Sequence, residues 1–440
     1  MACFIVLSSL PLWATKRLAA WETLRSSGEV GITSSLVLAA AGAPARLAPW
    51  YYNWTDYSAF VHRGQPFGVW QTGDPAKAQF IHIPPIEPGV VIALKVMRRV
   101  LHAPLSLVTL TGIQLGVDAV VLALIGWIAF QFGGTPAVLL AAGLHAGWGE
   151  ISAACVYPFY YYWPIPFSAA FFAIALRLSG GGRRAAAVAW AAALGVTAGS
   201  WCWFRGTAVS ILILTPLAAY LLARERAWRR PAAVAALVGL VVVLAPAAIH
   251  NLPRSGSLFP RAQVWHDLYA GLGTRPNPYG IRWDDSFVWG VAVKRHGVEF
   301  QGPGYEEALR SEYLEILRTN PGLIARNFVL NFFDSVRGWS FWMPHGFQKW
   351  LWLLALAGVV FSWATRSPMA MPMTIVTAVW WVQCLTLSLV GRPQSGYLWE
   401  TLGSMILSGS ASAGFMILLV FESVRRLRSR QHSVTGAQGS

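Results

Sequence analysis

Nine apolar runs of near membrane-crossing length leave this chain little choice of fold. They are Leu105–Phe130, Ala137–Ala154, Phe167–Leu178, Ala185–Phe204, Ala208–Leu222, Ala232–Ile249, Trp350–Ala364, Met371–Val390 and Leu402–Phe421. Most approach the roughly 17–25 residues needed to cross a bilayer, a few are short, and Ile32–Ala48 is a weaker tenth. In lipid every backbone N–H and C=O must find its partner within the protein, so such runs are helices. The expectation is an all-α polytopic membrane protein, a bundle of roughly ten transmembrane helices. Composition agrees: charged residues are 12% of the 440 and mean hydropathy is +0.48, where soluble domains carry about twice that charge.

The net charge of +15 reads as topology, not as a nucleic-acid surface. Arg177, Arg183 and Arg184 flank one short loop, and Arg224, Arg226, Arg229 and Arg230 flank another. Arg366 lies in a third, and Arg425, Arg426, Arg428 and Arg430 form the tail. Placing all of these on the cytoplasmic side orients every span consistently. Both termini are then inside, and two polar segments, Trp50–Pro104 and Leu252–His345, are outside. The expected organisation is an N-terminal transmembrane module (1–251) with a first outer loop (50–104), an extracytoplasmic loop domain (252–346), C-terminal transmembrane helices (347–424) and a basic cytoplasmic tail (425–440). That location corresponds to a multi-pass protein of the inner (plasma) membrane. Of the four cysteines none has metal-ligand spacing, and no disulfide framework is visible. The apolar run Cys3–Ala14 precedes its cations, Lys16 and Arg17, the wrong order for a cleaved signal peptide; it reads as an interfacial segment or an upstream extension.

Within the first outer segment, Trp50–Trp54 is aromatic in the manner of headgroup-level residues, and Gly89–Val100 reads as a juxtamembrane amphipathic helix. In the second, Pro253–Gly304 reads as irregular. Tyr305–Leu317 then carries Tyr305, Leu309, Tyr313 and Ile316 at helical spacing, with Glu306, Glu307, Arg310 and Glu315 mostly on other faces. Pro321 ends that helix and Gly322–Phe333 restarts it.

Acids are scarce, so each one outside the cytoplasmic loops is worth weighing. Asp56, among aromatics and near His62 and Arg63, could accept a proton from a hydroxyl; from position alone a loop aspartate that caps a turn is the commoner reading. Glu150 ends a span behind His145 and Trp148, where an ionisable group needs a wet cavity. Asp118, nearer mid-span, reads as a partner for a neighbouring helix. Arg205 falls at an outer span boundary. There a guanidinium holds a phosphate bidentately or snorkels to headgroups, and the two readings weigh equally. His250, Asn251 and Arg254 end another span at the same face, followed by Arg261, His266, Asp267 and Arg275. This cation-rich cluster suits an anionic, lipid-borne group. No nucleotide-phosphate loop, nucleophile elbow or zinc motif is present.

These segments resemble the polytopic GT-C glycosyltransferases, in particular bacterial relatives of the protein O-mannosyltransferases and aminoarabinose transferases. Asp56-Tyr57 with Ala59 and Gly64, then Pro84-Pro85 before an amphipathic helix, is similar to that family's first outer loop. Gln114–Leu122 is similar to its second span. Leu194–Leu222, with Arg205-Gly206-Thr207 and Pro216, is similar to its Arg-Pro segment, with Gly206 in place of the proline. Ala245-Pro246, His250-Asn251, Gly256 and Phe259-Pro260 are similar to the opening of its large outer loop, with His250 in place of an arginine. Asn320-Pro321 after an acidic helix is also typical. Trp163–Pro166 stands where many members carry Ser-Glu.

The resemblance implies transfer of a sugar from a polyprenyl-phosphate donor to a hydroxyl on a glycan, lipid or protein acceptor outside the cytoplasm, with inversion. Asp56 would be the base, with Glu150 the next carboxylate, and Arg205, His250 and Arg254 would hold the donor phosphate. His62, Arg63, Asn251, His266 and Asp267 would face substrate from the loops. No cofactor is fixed by the sequence. A divalent cation is an option that Asp56 and Glu150 could ligate. Two other readings stay open, a transporter or flippase of a lipid-linked saccharide and a GT-C-like assembly subunit without activity.

Overall fold

The computed structural model describes residues 12, 14–16, 89, 100, 107–148, 151, 155, 162–255, 258–260, 264–299, 304–337, 347–390 and 395–437. Of residues 107–111, 250, 251, 253–255, 336, 337, 347–349, 395–400 and 427–437 only the backbone is described. Among these residues the chain is helical, with turns and no strand. The helices are α1 (Leu107–Gly147), α2 (Pro164–Ser179), α3 (Arg184–Phe204), α4 (Val209–Leu222), α5 (Arg226–Ser255), α6 (Val264–Leu272), α7 (Asp285–His296), α8 (Tyr305–Thr319), α9 (Pro321–Arg337), α10 (Phe347–Ala364), α11 (Ala370–Val390) and α12 (Ser395–Ala437). A single 3-10 turn, Gly206–Ala208, joins α3 to α4.

Five of these helices are long and apolar enough to cross a membrane, and the apolar helices at 164–179, 206–222 and 350–364 are shorter. The protein is an all-α, multi-pass membrane protein. Its α1 is two arms rather than one rod. Gly133 (φ −139°, ψ 21°) and Gly134 (φ 58°, ψ −151°) leave helical geometry. Across that break His145 Nε2 lies 2.9 Å from Asp118 Oδ1. Twenty-seven residues of straight helix would hold them roughly 40 Å apart, so the chain folds back on itself there. The two arms, within Leu107–Gly147, fall in the expected runs Leu105–Phe130 and Ala137–Ala154.

The first half of α12 is the axis of the bundle. Every residue from Thr401 to Gly414 is buried, and α1, α2, α10 and α11 pack around it. Small side chains permit this, since membrane helices approach closely where Gly, Ala and Ser line the contact. A Cβ on Gly414 would lie 2.4 Å from Ala137 Cβ, a contact no ordinary packing admits. Polar links add to the fit: Thr377 and Ser408 hydroxyls lie 2.7 Å apart, and Ser404 Oγ donates to Gln383 Oε1 at 2.8 Å. Large apolar side chains that face outward, among them Val120, Ile213, Val242 and Val360, form the surface a bilayer would cover.

Helices α3 and α5 run parallel in close contact, Gly195 against Ala236 and Gly199 against Val243. The 21 residues of α3 span about 31 Å, one hydrocarbon thickness. At its start Gly180–Arg183 and Arg224 meet, because Arg224 Cδ rests where a Cβ on Gly181 would sit. At its end lies Arg205. The arginine loops and Arg205 therefore occupy opposite faces of the bundle.

On the Arg205 face, α6 to α9 build a second core from Tyr269, Leu272, Ile281, Val288, Tyr305 and Leu309, among others. Two helices, α6 and α7, occupy the stretch read from sequence as irregular. The signals for α7 are local: Asp284 Oδ1 accepts from the Ser286 N–H (2.7 Å), and Gly297 closes the helix at φ 64°, a side-chain cap and a left-handed stop. Pro321 opens α9 as its first residue, a position where its missing N–H costs nothing. Asn327 Nδ2 donates to the Leu272 carbonyl (3.0 Å), and Asn331 Nδ2 to Thr274 Oγ1 (3.2 Å) and the Ser388 carbonyl (3.3 Å). These bonds tie α9 to both α6 and the end of α11.

Candidate functional site

Arg205 sits where α3 stops. Its backbone is extended (φ −158°, ψ 115°). Its N–H still donates to Trp201 O at 2.8 Å, while its carbonyl accepts from Ala208 N at 3.0 Å and starts the 3-10 turn. The side chain is 1% exposed. A guanidinium buried this deeply is not snorkelling to lipid headgroups, since burial of a charge is sustained by polar or anionic contacts. Aromatics surround the break. The Phe204 ring lies 5.2 Å from Trp163 and 4.9 Å from Phe167, and Trp203 Nε1 donates to Val243 O at 3.0 Å. The backbone of Gly89 packs on Trp203 and Phe204. Gly89 and Val100, the two ends of the expected surface helix, are both helical. The first polar segment thus reaches the same end of the bundle as the second.

Immediately after Arg205, Gly206 and Thr207 line a crevice of ≈60 Å³ with Phe259, Pro260, Asp267 and Thr386, about the volume of two waters. Four segments converge here: the α3–α4 turn, the strand of chain that leaves α5, the first turns of α6, and the end of α11. The parallel run of α3 and α5 is what delivers both helix ends to one place.

His266 turns away from the crevice, into the core formed by α6 to α9. It is 2% exposed, with Nδ1 2.6 Å from the Tyr305 hydroxyl and Nε2 3.1 Å from Asp285 Oδ1. Burial disfavours the imidazolium, but the Asp285 hydrogen bond and the charges of Asp285, Asp267 and Glu306 outweigh it and raise the pKa. Glu306, from the first turn of α8, caps the N-terminus of α6: its Oε2 accepts from the Trp265 N–H at 2.7 Å. Burial, with a contribution from Asp267, pushes its carboxyl up to about 7 against the pull of the Trp265 N–H and of His266.

The structure therefore brings Asp267 and the residues beside Arg205 to one crevice and puts His266 behind it. Asp56, His62, Arg63 and Glu150 lie outside the described residues. His250, Asn251 and Arg254 lie in the last turns of α5, where only the backbone is described; Arg254 precedes the crevice-lining Phe259 by five positions. Asp118 is fully buried and accepts from Tyr162 (3.0 Å) as well as pairing with His145, joining neighbouring segments within the bundle. Glu306 was not singled out from sequence, because an acidic residue in the first turn of an amphipathic helix reads as solvated. Its signal was proximity to Tyr305 on the buried face. Among the described residues no group of three or more His, Cys, Asp or Glu side chains is placed to hold a metal ion.

No family model matches the chain and no curated protein matches it. Among solved structures it is similar to the archaeal oligosaccharyltransferase AglB from Archaeoglobus fulgidus in complex with an inhibitory peptide and a dolichol-phosphate. The identity is 15%, over 79% of this chain and 44% of that one, with a TM-score of 0.45. It is also similar to the oligosaccharyltransferase of that organism in complex with Zn and sulfate (15% identity, 77% and 41% covered, TM-score 0.44). A third is the same enzyme tethered to an acceptor peptide containing the NVT sequon (14% identity, 79% and 43% covered, TM-score 0.42). The chain spans less than half the length of these proteins, and a likeness of this size assigns neither family nor activity. What stands on the residues is an all-α membrane protein with an arginine buried where its bundle meets the α6–α9 core.

Proposed function

We propose that this protein is a GT-C-type glycosyltransferase that moves a sugar from a polyprenyl-phosphate donor to an acceptor hydroxyl at the extracytoplasmic face of the inner membrane. The observation that carries this reading is Arg205: fully buried, at a helix break, beside a crevice between membrane helices and the outer domain. A lipid-linked phosphate needs such a place, with its tail among the spans and its charge against a cation at their end. Asp56 is the proposed base and Glu150 the reserve. Asp267, which lines the crevice, is proposed to face substrate there.

In the proposed step the acceptor O–H gives its proton to the base carboxylate as its oxygen attacks the anomeric carbon. The bond from that carbon to the phosphate oxygen breaks on the opposite side, the electron pair leaves with the phosphate, and configuration inverts. Phosphate is a good leaving group, so no general acid is required. Arg205, with His250 and Arg254 from the end of α5, stabilises the charge that develops on it, the largest contribution in reactions of this kind. Sugar, acceptor and any divalent cation are left to experiment.

Purified protein is assayed for release of polyprenyl phosphate from a panel of polyprenyl-phosphate sugars, alongside Asp56→Asn. The expected result is turnover with one or a few donors, and a fall of about 10²–10⁴-fold in the variant. Turnover that survives in Asp56→Asn moves the base to another carboxylate. Binding of the lipid without turnover of any donor replaces the enzyme by a flippase or an inactive subunit.

A further inference from the structure

At the arginine-bearing face, the start of α5 and the last turn of α4 enclose an open cavity of ≈660 Å³, within the roughly 300–1,000 Å³ of small-ligand sites. Its walls are Tyr220, Arg226, Arg229 and Arg230, with Ala227 and Pro231. The Arg229 guanidinium lies 5.8 Å from the Tyr220 ring centre, and its Nε donates to Ala223 O at 3.4 Å, so this cation is held against the wall. Arg224 rests on Gly181 and brings the loop of Arg183 and Arg184 alongside. Glu225 is the one acid between residues 220 and 231. Among the described residues no carboxylate is ion-paired to Arg226, Arg229 or Arg230.

Three arginines in the opening turns of α5, which has no acid in its first turn, face the positive end of the helix dipole. Like charges gathered there beside that dipole favour an anion as their partner. Cations that only orient a chain need no cavity between them. Just beyond, α5 turns Val234, Val238 and Val241 outward, each more than half exposed and all on one helical face. That surface continues directly from the cavity.

We propose that this cavity binds the headgroup phosphate of an anionic phospholipid, with the acyl chains lying along the Val234–Val238–Val241 face of α5. Basic pockets of this kind between membrane helices suit anionic headgroups, and guanidinium forks match phosphate oxygens bidentately. The inference is independent of the chemistry proposed at the opposite face.

The test uses the full-length protein in detergent, titrated with phosphatidylglycerol, phosphatidylcholine or inorganic phosphate and read by native mass spectrometry and thermal unfolding. Phosphatidylglycerol should bind saturably and raise the midpoint, and phosphatidylcholine should do neither. Combined Arg226→Gln, Arg229→Gln and Arg230→Gln should weaken phosphatidylglycerol binding by at least tenfold, on the order of the attraction three cations supply. The corresponding triple Lys variant keeps the charge that orients the chain and should fall between, since lysine lacks the bidentate fork. Arg425→Gln with Arg426→Gln, a similar loss in the tail, should bind as the parent does. Should the Gln variant fail to insert, the Lys variant and the lipid comparison still decide. Equal binding of both lipids, or undiminished binding by the Gln and Lys variants, overturns the proposal. Displacement of the lipid by inorganic phosphate at equal phosphate concentration would make this a soluble-phosphate site instead.

Discussion

Glu306 and His266 give the α6–α9 core a pH dependence whose sign follows from their surroundings. Glu306 titrates at about 7 in the folded protein against 4.5 ordinarily. Between those values the folded state keeps a proton that the unfolded chain has released, so stability falls as pH rises. The upper bound is roughly 3.5 kcal/mol at about 1.4 kcal/mol per unit, and less with the solvent screening of a partly buried group. His266 acts in the same direction. Its pKa is raised, so its contribution is complete below the unfolded value of about 6.5 and is lost as pH rises through the folded one. The thermal midpoint should therefore drop from about pH 5 to pH 8, and Glu306→Gln should flatten that drop. A slope in Glu306→Gln equal to the parent's would remove Glu306 from the account. At this scale the sequence was half legible. Arg205 and Asp267 stood out because charge near an apolar run is rare. Glu306 did not, because its burial comes from α6, a helix brought over it by tertiary folding.

Among elements, the α1 hairpin shows what hydropathy alone reads well and what it leaves open. Two separate apolar runs, Leu105–Phe130 and Ala137–Ala154, predicted two spans with a turn between them, and the chain turns at Gly133-Gly134. What hydropathy leaves open is the polar latch across it, Asp118 with His145 and Tyr162, because the partners lie 27 and 44 residues away. Asp118→Asn and His145→Gln should each lower the midpoint. Their double-mutant cycle in detergent should give a coupling of about 1–2 kcal/mol, the upper part of the range for side-chain hydrogen bonds within membranes. Additive losses would mean that the contact does not close the hairpin. Helices α6 and α7 were missed for a different reason: at 9 and 12 residues they are short and set among Gly, Pro and Trp. Even so Asp284 and Gly297 marked both ends of α7.

At the scale of the molecule, the arginine loops and the Arg205 crevice are separated by one helix length, and the α6–α9 core is pinned to the bundle beside the crevice by Asn327 and Asn331. The order of apolar runs predicted this polarity, since alternate loops of a helical bundle fall on alternate faces. The crevice itself was not legible, because it joins residues 202, 206, 207 and 209 to 259, 260, 264 and 267 and to 386 and 390, which no local pattern relates. A cation buried at that junction costs several kcal/mol in desolvation, and a donor phosphate is what would make that cost functional. The direct measurement is binding of a polyprenyl phosphate and turnover of its sugar-linked form by Arg205→Gln and Arg205→Lys, with the thermal midpoint recorded for each. The account predicts that turnover falls by about 10²–10³-fold in Arg205→Gln and less in Arg205→Lys, with lipid phosphate binding weakened in the same order. Binding and turnover that persist at the parent's level in a folded Arg205→Gln would contradict it.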